Sequence, residues 1–472
     1  MAAVGRAMAL GIRHSGQVLA AATLAAGGLM VGVAITALGV KTSPGFVLMA
    51  LAGLAFMTIS LRHPTALLLG LVLVIPFGQR PVPFGMDAIQ AVAMVVVGLL
   101  VVRQVWLGRA PLLWAAPMSW ALWLVLLALL SLPEAPDHLR AVRQIVSVLL
   151  ACAVPLAVVT ICRSLRQLRL LVMAMVVVGG AVCAMSLAGA SSLRAEAGAR
   201  RVDNRLHGIF TEPNQFGIFS AFILLLSVGM LLGARDLRER VVSGLSAAAS
   251  GLGLLLALSR GAWIGTALAM LLLVALLPQA RRWLVIGIGG ALILTGIAGT
   301  VGMNEAELSV VTQRIGTVTS PLDNPYDNRP AIWREARREI RESPWLGQGA
   351  GQFPVTSRRV TSNSTSVSAE HAHNTLLTAA VELGIPSVFF VIALTLSLLQ
   401  RLRRTVALLR AEGNADASLV AGVGAAASAV VGQGLVDFTL RNAVLLLVLS
   451  FLVGLMLAAD RTVWSSRSLG AL

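Results

Sequence analysis

The feature that most constrains this chain is a succession of apolar runs, most of them long enough to cross a lipid bilayer. They fall at roughly 18–40, 44–61, 66–78, 88–107, 112–132, 143–162, 168–190, 215–233, 241–258, 262–277, 283–302, 375–399, 417–436 and 442–459. A helix needs about 20 residues to span the hydrocarbon core, so the run at 66–78 is short. It reads as one bent or re-entrant unit with 44–61, which leaves twelve or fourteen crossings. Backbone polar groups in lipid must be satisfied within their own segment, and that makes each crossing an α-helix. The expected fold is therefore an all-α integral membrane protein, a polytopic bundle. A polar N-terminus with Arg6 and Arg13 precedes the first run, which has no clear cleavage site and reads as an uncleaved helix.

Composition agrees. Charged residues make up 12% of the chain and hydrophobic residues 57%, against about 25% charged in soluble domains. A net charge of +16 would suit a nucleic-acid binder, but the basic residues are spread through short loops between apolar runs. That is a topology signal, and nucleic acid is not expected as a partner. Apart from Lys41 every basic side chain is arginine, so any polyanion site must use guanidinium forks. Cys152, Cys162 and Cys183 fall in or at the ends of apolar runs without metal-like spacing, and read as small core residues.

An even number of crossings puts both termini on one side. If that side is cytoplasmic, the inner loops are short and arginine-bearing: Arg62, Arg103 and Arg109, Arg163 to Arg169, Arg235 to Arg240, Arg281 and Arg282, Arg401 to Arg410, then Arg461 and Arg467. The loop 191–214, Arg260 and the long polar segment 303–373 then lie outside. The chain divides into an N-terminal bundle, 1–302, the outer segment 303–373, and C-terminal helices, 374–472.

The chemistry-bearing residues gather on that outer face. His371 and His373 sit where the polar segment meets the next apolar run. Imidazole has its unperturbed pKa near neutrality and can take a proton from a hydroxyl, although a solvated loop beside a helix start would also place histidines here. Asn374 or Thr375 would cap that helix. Arg205 and Asn214 flank a rigid re-entry into the bilayer, and Arg260 lies between two apolar runs with almost no loop, where snorkelling to headgroups is the alternative to ligand binding. From Ala331 an amphipathic helix is expected: Ile332, Ala336 and Ile340 form one stripe and Arg334, Arg338 and Arg341 a neighbouring one. With Trp333 and Trp345 near its ends, it would lie along the outer leaflet, its arginines facing phosphates of a lipid-borne acceptor. Gly347, Gly349 and Gly351 read as a flexible turn, and the Ser/Thr-rich stretch 356–368 as a mobile flap.

Four stretches carry a resemblance. They are Arg205-Leu206-His207-Gly208-Ile209-Phe210-Thr211-Glu212-Pro213-Asn214; Ser259-Arg260-Gly261-Ala262-Trp263; Arg329 to Trp333 leading into Pro344-Trp345-Leu346-Gly347-Gln348-Gly349; and His373-Asn374 followed by Glu382 and Gly384. In that order they resemble the bacterial O-antigen ligase and O-antigen polymerase superfamily, over roughly Arg205 to Pro386. The resemblance implies a C-type glycosyltransferase-like membrane enzyme of the bacterial inner membrane, working on the periplasmic face without a cofactor. Its donor would be a glycan on undecaprenyl diphosphate, and its acceptor the lipid A-core.

The implied reaction is an inverting, metal-independent transfer with His373 as general base and Glu212 as a backup. Arg205 and Arg329, with Arg260 third, would stabilise charge on the leaving diphosphate. Glu382, nine positions after His373, would face away from it on a straight helix and support packing. No Asp-x-Asp pair to hold a divalent ion with a nucleotide sugar appears. His371 and His373 could ligate a metal, but no further ligand lies nearby in sequence. An O-antigen polymerase or a protein O-oligosaccharyltransferase would share the donor. A lipid-glycan flippase or transporter is the non-enzymatic alternative, but it would place charges at the midplane and show repeated halves.

Overall fold

The computed structural model describes residues 59–60, 62–82, 86–105, 113–192, 201–202, 205–282, 285, 289, 329–357, 360–362, 365–367 and 371–470. The runs at 18–40, 44–61 and 283–302, with the polar stretch 303–328, lie outside these wholly or almost so. The described helices are α1 (Thr65–Leu73), α2 (Ala88–Val105), α3 (Met118–Leu130), α4 (His138–Ile161), α5 (Leu165–Ser192), α6 (Pro213–Leu232), α7 (Leu237–Leu256), α8 (Arg260–Leu276), α9 (Arg329–Glu342), α10 (Phe353–Thr356), α11 (Thr375–Leu383), α12 (Ile385–Ala411), α13 (Asp416–Gly434) and α14 (Ala443–Gly470). Three two-stranded antiparallel ribbons of two or three residues per strand are the described β-structure.

Among the described residues six helices are long and apolar enough to cross a membrane: His138–Ile161, Leu165–Gly189, Pro213–Leu232, Ile385–Ala411, Asp416–Gly434 and Ala443–Ser465. Shorter apolar helices cover Ala88–Gln104, Met118–Glu134 and Arg260–Leu276. This is an all-α membrane architecture. The helix in the 66–78 run is nine residues long, too short to cross alone.

The centre of the bundle is α6, which is apolar all round and buried on every face, with Phe216, Phe219 and Phe222 inaccessible. It packs on α13, whose run of alanine and glycine lets two backbones approach closely. A Cβ on Gly229 would sit 2.7 Å from the Gly422 Cα, so neither position has room for one. On the periphery, α3 and α12 present Trp123, Phe389 and Leu396 outward, apolar surface that a bilayer would cover.

The charged groups of this core collect at its two ends, while its buried serines, Ser220, Ser227 and Ser246, lie between them. At one end Arg169 donates to Asp416 Oδ1 from Nε at 3.0 Å and Nη2 at 2.6 Å, to Glu239 Oε2 at 2.7 Å, and to the Gly233 carbonyl at 3.1 Å. Arg235 reaches the other Asp416 oxygen at 2.9 Å. Asp416 opens α13 and Gly233 closes α6, so this cluster marks one end of both antiparallel helices. Their opposite ends, about 30 Å away along a 20-residue helix, carry the residues singled out above.

Two sequence expectations change here. The apolar run 375–399 is two helices, broken at Gly384, whose φ of +79° suits glycine and whose Cβ position would meet the Trp345 carbonyl. The amphipathic helix exists as α9, but its apolar stripe does not face lipid. Ile332, Ala336 and Ile340 pack on Phe353, Ala372, Leu377 and Val381, forming a small core of the outer segment. Periodicity predicts an apolar face without saying what covers it, and here the protein covers it.

Candidate active site

The site is built on helix ends. Asn374 is the N-cap of α11: its Oδ1 accepts from the Leu376 and Leu377 amides at 2.9 and 3.0 Å. Its Nδ2 donates to the Leu435 carbonyl at 2.9 Å, fastening the start of α11 to the end of α13. The residue before the cap, His373, is held at φ +47°, a left-handed conformation costly for any residue with a Cβ. That turn brings the His373 ring to Asp437, just past α13, with Nδ1 and Oδ1 3.0 Å apart.

Asp437 is buried and heavily engaged. Its Oδ2 accepts from Asn214 Nδ2 at 2.8 Å, and its Oδ1 also accepts the Phe438 amide at 2.8 Å. Asn214 Oδ1 in turn accepts from Arg205 Nη2 at 2.6 Å, while Arg205 Nε donates to the Ala257 carbonyl at 3.0 Å. An unbroken chain of hydrogen bonds therefore runs Arg205–Asn214–Asp437–His373 across three sequence-distant segments. Burial pushes the Asp437 carboxyl up, but the imidazoles of His371 and His373 and the charge of Arg329 outweigh it and hold the group well below the usual carboxylate range. His373 faces a permanent anion, and with its proton on Nδ1 toward that anion its Nε2 lone pair is left to accept a proton.

Arg329 opens α9 and acts on Asp437 electrostatically. Arg260 opens α8, capped by Ser259, three positions from the carbonyl that Arg205 binds. Glu212 is exposed at the N-cap of α6, and the carboxylate that meets His373 is Asp437 instead. Glu382 accepts the Gly351 amide at 2.9 Å, and burial pushes its carboxyl up to about 7. Together with the bonds from the Gln348 and Gly349 amides to the Val381 and Glu382 carbonyls, at 2.8 and 3.1 Å, it pins the glycine turn, which is thus a fixed element. Within the stretch expected as a flap, 360–362 pairs antiparallel with 365–367.

On α9, Arg338 is bonded to Glu335 and Glu342 of its own helix, which raises its pKa further and neutralises it locally. Arg334, Arg337 and Arg341 are exposed and line, with Arg338 and Glu342, an open groove of ≈ 520 Å³.

Asp437 carried no sequence motif. The signal that could have found it is an isolated acid between two apolar runs, a position where an ionisable group is costly unless paired. Asp437 also supplies what the sequence lacked for metal chemistry, a third ligand atom close to His371 and His373.

Apolar spans with a carboxylate-paired histidine at one end of the bundle define the class, a polytopic membrane protein with a polar site at one face. Residues 245–392 match the family model described as O-antigen ligase. That match supports a membrane enzyme of the O-antigen ligase or polymerase type, glycosyltransferase-like in kind. It contains Arg260, Arg329, α9 and His373, whereas Arg205, Asn214 and Asp437 lie outside it. No curated protein matches the chain.

Proposed function

We propose that this protein transfers O-antigen glycan from undecaprenyl diphosphate to the lipid A-core, on the periplasmic face of the bacterial inner membrane. The observation that carries the reading is the bond between His373 Nδ1 and the buried, anionic Asp437. In this scheme Nε2 of His373 takes the proton of the acceptor hydroxyl as its oxygen attacks the anomeric carbon. The C–O bond to the donor phosphate breaks on the opposite face, inverting the centre, and the electron pair leaves with the diphosphate. Asp437 stabilises the imidazolium that forms. Arg329 and Arg260 stabilise charge growing on the leaving oxygens. Arg205, with two nitrogens committed to Ala257 and Asn214, positions the relay and adds its charge.

The exposed arginines of α9 support a phosphorylated acceptor, which favours ligation over polymerisation. Arg334 and Arg341 keep their acceptor role, Arg337 joins them, and Arg338 is withdrawn from it because Glu335 and Glu342 already pair with it.

The test is transfer by the purified protein in proteoliposomes, supplied with undecaprenyl-diphosphate glycan and lipid A-core. Wild type gives laddered lipid A product, and His373→Ala loses roughly 10²–10⁴-fold in rate while staying folded. Longer glycan still on the carrier would mean polymerase. No transfer by a folded wild type would return the transporter reading.

A further inference from the structure

The contact that orients His373 also assembles the ligand atoms of a metal site. His373 Nδ1 lies 3.0 Å and His371 Nε2 3.9 Å from the same Asp437 oxygen. All three atoms fall within 4.8 Å of one another. Ligand atoms around a tetrahedral zinc, bound at 2.0–2.1 Å, stand about 3.3 Å apart, between the two separations seen here. Two imidazoles and a carboxylate are a donor set zinc accepts, with the fourth position open.

A second observation points the same way. His371 is buried, yet its Nδ1 has no hydrogen-bond partner, and its ring lies against His373 and Phe438 with centroids 4.4 and 5.7 Å away. Zinc on Nε2 would leave that Nδ1 as it is; what the burial shows is that the His371 ring is packed in place with Nε2 toward the Asp437 oxygen, so this ligand atom is already held where the ion would bind.

We propose that His371, His373 and Asp437 form an inhibitory zinc site, in which the ion occupies the atoms that make His373 a base. The inhibitory half rests on the role assigned to His373 above. A neutral imidazole has one proton and one lone pair. Zinc on Nδ1 takes the lone pair there, so the proton must sit on Nε2, and the atom that would accept a hydroxyl proton becomes a donor. No net proton is released by His373, since its single proton moves from Nδ1 to Nε2 through solvent. Asp437 binds the ion instead of the imidazole N–H. The site would thus take a transition metal as a blocker of transfer.

The experiment is zinc titration of the purified full chain against a chromophoric chelator, beside transfer assays in the same detergent. One zinc per chain is expected, with affinity falling about tenfold or more in His371→Ala and in Asp437→Asn. Transfer by wild type should stop with zinc and return on adding chelator. In His371→Ala the zinc concentration giving half inhibition, measured against that variant's own zinc-free rate, should rise by the same factor as the affinity falls. Absence of stoichiometric binding, or affinity unchanged in both variants, overturns the site even if His373→Ala abolishes transfer. Inhibition that is the same in His371→Ala and is reproduced by magnesium places the ion on the donor diphosphate and also overturns it. Zinc bound at the site with transfer unaffected overturns the inhibitory role and the base assignment together.

Discussion

At the scale of single residues, the relay Arg205–Asn214–Asp437–His373 makes the sharpest demands. Asp437 orients one tautomer and stabilises the imidazolium, so Asp437→Asn should act on turnover. The amide keeps the volume but loses the charge, and its NH₂ can present a donor to Nδ1, forcing the proton to Nε2. A loss of about 10²–10⁴ in kcat with little change in KM for either substrate is expected. A loss confined to KM would instead make Asp437 a structural brace. The left-handed backbone of His373 supports a second prediction, in stability. Replacing His373 by Gly and by Ala removes the same imidazole, but only glycine accepts φ +47° without cost. His373→Gly should therefore be more stable than His373→Ala by about 1–2 kcal/mol, read as the higher melting midpoint of the two in detergent. Equal midpoints would show that this turn relaxes once the imidazole is gone.

At the scale of elements, α9 shows what a sequence pattern carries and what it leaves open. Its start and polar stripe were legible: the helix expected from Ala331 is observed over Arg329–Glu342, beginning two residues earlier. Its partner was not, because an amphipathic period is the same whether lipid or Val381 covers the apolar face. The break at Gly384 was hidden in a continuous apolar run, since a left-handed glycine between two helices leaves no gap in hydropathy. Four motif stretches were legible in order. Asp437 was not, because its partner His373 is 64 positions away and nothing local marks the pairing. With its apolar face buried, α9 offers only its arginines to a ligand. Replacing Arg334, Arg337 and Arg341 singly by Gln should raise KM for the phosphorylated acceptor about 2- to 5-fold each, as exposed ion pairs allow, with kcat nearly constant. The effect should shrink as salt rises. Arg338→Gln should disturb the helix more than acceptor binding, since its partners are Glu335 and Glu342. If Arg338→Gln alone raised KM, pairing with Glu335 and Glu342 would not have withdrawn Arg338 from the acceptor.

For the whole molecule, the question is how the outer segment stays on the bundle as pH changes. Two acids bear on it, Glu339 inside the outer segment and Glu382 where that segment meets α11. Glu339, buried on α9 and bonded by Thr356 at 2.8 Å, has its carboxyl pushed up by burial to about 7. Glu382, holding the glycine turn, is likewise pushed up to about 7. A carboxyl raised above its unfolded value of 4.5 binds its proton more tightly in the folded chain. Its contribution to stability is complete below the unfolded pKa and is lost as pH rises through the folded one. Asp437 has the opposite sign: its carboxyl is held low, so its contribution is fully present above the usual carboxylate range and does not vary across this window. Between pH 5 and 8, then, ionisation of Glu339 loosens the outer segment itself and that of Glu382 its hold on α11, while the relay at His373 keeps its anion. The melting midpoint of wild type relative to the Glu339→Gln, Glu382→Gln double variant should therefore fall from pH 5 to pH 8, because the amides keep the oxygens that accept from Thr356 and Gly351 without ever ionising. A difference between the two proteins that stayed flat over that range, or grew with pH, would mean that the fold does not hold these two carboxyls protonated.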